Sequence, residues 1–126
     1  MALSVGRISA IMSRQRVNRA AIAVSNDLET AFALTFRDRK PVRISFDTAT
    51  VQLSVTDVAS GTVFRRTSLA GFNLTSSNVS LSSNAVTVYP VGLADDSLSI
   101  TISATIGSTT YTQRVRMARG GLVQIK

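Results

Sequence analysis

Histidine, cysteine and tryptophan are all absent from the 126 residues, and only two prolines occur. Without His and Cys the chain cannot build a His–Cys zinc site, a disulfide framework, a thiolate nucleophile or an imidazole acid/base pair. The lack of cysteine leaves the redox compartment open, because a cysteine-free chain is at ease in reducing and oxidising surroundings alike. A long apolar run is also missing. The stretch from Met1 to Met12 is interrupted by Arg7 and falls short of the ~20 residues a helix needs to cross a bilayer. It does not read as a signal peptide either. No paired carboxylates, Ser–Lys arrangement or Gly-rich phosphate loop is recognisable, so neither an enzyme nor a cofactor is expected. The length suits one domain, which at this size removes about 65–70% of the unfolded chain's surface from water.

The charge is one-sided, with 14 basic residues against 7 acidic ones for a net +7. Residues 1–45 hold eight of the basic groups and three acidic ones (8 − 3 = +5), and residues 46–126 hold six and four (6 − 4 = +2). Such a surface favours phosphate backbones, anionic headgroups or an acidic protein partner, and charge alone does not choose among them.

The first third has helical spacing. Val17, Ala20, Ala21, Val24, Leu28, Ala31 and Phe32 recur at steps of three and four, the signature of one buried stripe. Ile8, Ile11 and Met12 continue it upstream, and neither Gly nor Pro interrupts residues 8–39. Pro41 ends the run by forcing its predecessor out of the α region, and Arg37, Arg39 and Lys40 suit the negative end of the helix dipole. A helix over about 8–38 would be roughly 45 Å long, too long for a domain of this size to cover, so one end should project. After Pro41 the period becomes two. Val42, Ile44 and Phe46, then Val51, Leu53 and Val55, then Leu98, Ile100, Ile102 and Ala104 alternate with polar residues, as half-buried antiparallel strands do. Shorter candidates are 62–67, 78–82, 85–89, 109–117 and 121–125. The expected fold is α+β: a long N-terminal helix (about 3–40) packed on an antiparallel sheet or two small sheets (41–126), all within a single domain spanning 1–126.

Three stretches carry a family resemblance. Arg14-Gln15-Arg16 opens a helix that runs through Leu28 and Ala31 into Arg37-Asp38-Arg39-Lys40-Pro41-Val42. Val88-Tyr89-Pro90-Val91-Gly92 joins an aromatic, a proline and a glycine ahead of the last hairpin. Tyr111 to Ile125 ends on a strand, a turn glycine and Val-x-Ile. Together they resemble the H-type minor pseudopilins of type II secretion and their minor type IV pilin relatives, over nearly the whole chain. Members of that family begin with an apolar segment carrying a glutamate at its fifth position, and nothing like it occurs here. The resemblance therefore implies a bacterial inner-membrane protein with a periplasmic globular domain, whose anchor is missing from this chain, with Met1 and Ala2 not native. It implies a non-catalytic subunit assembling through its helix with other pseudopilins or pilins, with secreted substrates as further partners. The alternative it leaves open is a minor pilin that binds DNA during natural transformation.

Candidate residues follow. Ile8, Ile11 and Met12, on a projecting helix end, are expected to form an assembly interface, since an exposed apolar stripe marks one. Arg14, Arg16 and Arg19 either join that interface, near lipid headgroups, or form an ordinary solvated face. Arg114, Arg116, Arg119 and Lys126 are the best candidate for tracking phosphates, against the alternative of a solubilising strand face. DNA-receptor members carry Gly-Arg-x-Arg near the C-terminus, and Gly121-Leu122-Val123-Gln124 lacks both arginines, so any DNA binding should be weak and independent of sequence. Asp95-Asp96 supplies too few oxygens for calcium and is expected to be a turn. Asn73-Leu74-Thr75 and Asn78-Val79-Ser80 match the glycosylation pattern by chance.

Overall fold

The computed structural model describes the backbone of residues 2–72, 74–106 and 108–125, and the side chains from residue 11 onward apart from that of Ile106. One helix, α1 (Ala2–Asp38), fills the first third. It begins six residues earlier than the periodicity indicates and runs through Gly6, so at 37 residues it is about 55 Å long. It ends where expected. Arg39 turns into the left-handed region (φ 54) while its amide donates to Thr35 O at 2.9 Å, and Pro41 follows. No helix of the described residues is long and apolar enough to cross a membrane.

Among the described residues nine strands follow: β1 (Val42–Asp47), β2 (Gln52–Asp57), β3 (Val63–Ser68), β4 (Val79–Leu81), β5 (Ala85–Tyr89), β6 (Leu93–Ala94), β7 (Leu98–Ile106), β8 (Thr109–Met117) and β9 (Val123–Ile125). They form two antiparallel sheets, the first ordered β3-β2-β1-β5-β6 and the second β4-β7-β8-β9. All the candidate strands are present. The two-residue β6 is an addition, falling inside what reads as a single turn over 92–96. Short 3₁₀ turns at Leu69–Phe72 and Ser76–Asn78 lie between β3 and β4.

The period of two sets the sheet faces. Val42, Ile44 and Phe46 of β1 point inward, as do Leu53 and Val55 of β2 and Val86 and Val88 of β5. Leu98, Ile100, Ile102 and Ala104 of β7 join Val115 and Met117 of β8 to give the second sheet the same character. Across both inner faces lies α1, contributing Val17, Ala20, Ala21, Val24, Leu28, Ala31 and Phe32 to one continuous core. Among the described residues, these seven stripe residues are the buried apolar ones of the helix.

Three polar contacts pin the helix and sheets at defined points. Gln113 of β8 donates to Asn18 Oδ1 at 2.9 Å. Asp27, buried among the stripe residues, pairs with Arg65 of β3. Between the sheets, the Ala94 amide donates to Arg119 O at 2.8 Å and Arg119 Nε donates back to Ala94 O at 3.3 Å.

Candidate assembly face and cationic sheet face

The core ends abruptly along the helix. Val17 is buried, and Ser13 is the last described residue upstream of it that is buried as well. Half-buried Arg16 closes this boundary by donating to Ser13 Oγ at 2.9 Å. Beyond it Ile11 is 56% and Met12 58% exposed, so the helix projects past the sheets as its length demands. The side chain of Ile8 lies outside the described residues, as does Lys126.

Two further apolar residues stand outward on the packed part of the helix, Ile22 at 52% and Phe36 at 62% exposure. At about 100° per residue, Ile11, Ile22 and Phe36 project within about 40° of one another. Ile11, Ile22 and Phe36 thus share one outward side of α1, about 120° around the helix from the centre of the core stripe, with exposed Glu29 between the last two and exposed Arg14 and Arg19 on either flank. The sequence analysis missed Ile22 and Phe36. The signal was present, since the steps 11→22→36 keep nearly whole turns, but two isolated residues among Asn26, Glu29 and Arg37 do not register as a stripe.

At its far end the helix grips two turns. A Cβ on Gly92 would sit 3.0 Å from the Phe36 ring, and one on Gly121 would sit 3.0 Å from that of Phe32. Both glycines have positive φ, +83 and +98, which side chains rarely adopt. The Tyr89–Gly92 and Ala118–Gly121 turns are thereby drawn onto the helix.

The arginines of the last third divide. Arg114 and Arg116 are exposed on the outer face of β8, opposite Thr101 and Ser99 of β7 respectively. Among the described residues neither has an ion-pair partner. Arg119, in the turn after β8, is exposed and lines the same surface depression as Arg116. Its guanidinium bonds the Ala94 carbonyl and ties the turn to β6. Asp95 and Asp96 are turn-forming, accepting from the amides of Thr87 (3.1 Å) and Ser97 (2.8 Å). Asn73 lies outside the described residues. Asn78 is occupied structurally, donating to Ser103 O at 2.9 Å and accepting from the Thr75 amide at 2.8 Å. No group of three acidic side chains able to hold a metal ion occurs among the described residues.

No protein-family model and no curated protein sequence matches the chain. Two solved structures do match, both of the type IV minor pilin FimU from Pseudomonas aeruginosa PAO1. In one crystal form the match is 18% identical and covers 92% of each chain with a TM-score of 0.67. In a second it is 19% identical and covers 86% of this chain and 91% of that one, with a TM-score of 0.66. At these identities the likeness concerns the fold, and the architecture is that of a type IV pilin: one long N-terminal helix packed on antiparallel sheets.

Proposed function

We propose that the chain is a non-catalytic structural subunit of a type IV pilin-like filament, assembling through the outward face of α1. The observation that carries this reading is the division of the helix. From Val17 to Phe32 its inner stripe is sealed in the protein's own core, whereas Ile11 and Met12 extend past the sheets with their apolar surface in water. A helix that served only its own domain would gain nothing from that exposed length. The same helix carries Ile22 and Phe36 on the outward side that Ile11 begins, so a neighbouring helix would meet apolar anchors spaced along it.

The sequence resemblance favours a minor pseudopilin of type II secretion at the bacterial inner membrane, its globular part periplasmic. The fold likeness to FimU supports a second reading, a minor pilin of a type IV pilus. In either case the partners are other subunits of the same filament. Secreted substrates would be further partners in the first reading, and a DNA-uptake role belongs to the second.

A cysteine-free chain makes the test clean, because an introduced cysteine is unique. Ile22→Cys in the native host should form bifunctional cross-links to other filament subunits, and an outward residue of the sheets such as Thr56→Cys should not. Absence of any adduct at Ile22 would overturn assembly through this face. Deletion of the gene then separates the two systems: loss of secretion supports the pseudopilus, and loss of surface pili supports the pilus.

A further inference from the structure

The outer face of the second sheet holds a shallow groove with a defined chemistry. Two adjoining depressions, of about 530 and 220 Å³, share Ser82 and Ser99 and so run into each other. Arg114 lines the smaller depression, and Arg116 and Arg119 line the larger. The strand register places Thr101 beside Arg114, and Ser99 and Gln124 on either side of Arg116. Two residues apart on one face, the guanidinium stems leave β8 about 7 Å from each other. Ser82 is held in place because its Oγ accepts from the Ser99 amide at 2.9 Å, which leaves its O–H to donate. The carboxylate next to the groove, Asp96, is engaged by the Ser97 amide. No aromatic ring lines either depression.

The geometry points to a binding track for a linear acidic polysaccharide of the uronic-acid type. Arginine forks bind carboxylates through paired charge-assisted hydrogen bonds. The hydroxyls and the Gln124 amide between them both donate and accept, matching a chain whose rings carry several hydroxyls between carboxylates.

A duplex nucleic acid fits less well on magnitude. Binding that rests on three phosphate contacts gives a salt slope of only about −3, well short of that of a protein making roughly 6–10 such contacts. Single strands gain their affinity by stacking bases on aromatic side chains, and the groove offers none.

The test compares three polymers against the folded chain at 150 mM salt by calorimetry: oligogalacturonate, duplex DNA of equal total charge, and neutral dextran. Oligogalacturonate should bind at least tenfold more tightly than either of the others. Arg114→Gln with Arg116→Gln should weaken it tenfold or more, and Thr101→Val with Ser99→Ala should weaken it severalfold, with the melting temperature unchanged in both variants. DNA binding as tightly as the uronate would overturn the assignment in favour of general polyanion binding. It would equally be overturned by indifference to the hydroxyl variant, or by no uronate binding at all.

Discussion

The carboxylate of Asp27, 1% exposed on the inner side of α1, pairs with the guanidinium of Arg65 on β3, the outermost strand of the first sheet. Nearly all of β3 is exposed, so it buries little apolar surface of its own, and Arg65 and Thr67 tie it to the helix through Asp27. Burial pushes the Asp27 carboxyl above its ordinary 3.8, with Thr67 and Arg65 pulling it part of the way back. Arg65→Ala should therefore cost about 1–3 kcal/mol by leaving a buried charge uncompensated. Adding Asp27→Asn to that variant should recover part of the loss. Urea titration of the two single variants and the double variant measures the coupling.

The pH dependence of the same residue has a definite sign. A carboxyl whose folded-state pKa is raised binds more protons folded than unfolded, so stability falls as pH rises from 3.8 through the raised value. Asp38 and Asp57 act oppositely. Hydrogen bonds from Arg37 and from Ser60 respectively hold their carboxyls below 3.8, and the stability they contribute is lost only as pH falls below that point. Both are common to wild type and Asp27→Asn, so they cancel in the comparison. The difference between the two proteins should be flat in strong acid and should move against the wild type from pH 4 upward. A wild type that gains on the variant over that range would show that Arg65 outweighs burial.

The glycine contacts of Phe32 give a third expectation. Gly121→Ala places a Cβ against the ring at a positive φ, and should cost about 1–3 kcal/mol. Gly61→Ala meets the same backbone penalty at φ +74 with open space around it, and should cost about 1–2 kcal/mol. Combining Gly121→Ala with Phe32→Leu should shrink the excess, which thermal melts of the four variants can resolve.

Within the core, Leu28→Ala should cost about 2–5 kcal/mol through lost burial and a residual cavity. Ile11→Ser should stay within about 0.5 kcal/mol of the wild type, because that side chain is exposed. Equal losses at the two positions would mean that the projecting end is packed after all.

Most of the fold was legible because burial obeys simple periods here. The 3.6-residue stripe named every buried apolar residue of α1 among the described side chains, and the two-residue alternation named the inner faces of β1, β2 and β7. Where contacts are remote in sequence, the reading stopped. Leu93–Ala94 is a strand only because Tyr89, Val88 and Arg119 supply its partners. The bond from exposed Arg119 to the Ala94 carbonyl is not legible either, because nothing local pairs the two. Asp27 did carry a local signal: it lies three residues after Val24 and four before Ala31, on the buried stripe, where an acidic side chain needs a cation from elsewhere. The supply of that cation by β3 is a tertiary fact.

Assembly through the outward apolar residues of α1, as opposed to incidental exposure, is what the proposed function rests on. The direct measurement is the amount of an Ile11→Ser, Ile22→Ser double variant recovered in sheared filaments of the native host, relative to wild type, once its melting temperature has been shown to be unchanged. Its near absence from the filament fraction at normal cellular abundance is the predicted result. Recovery at the wild-type level would contradict the claim.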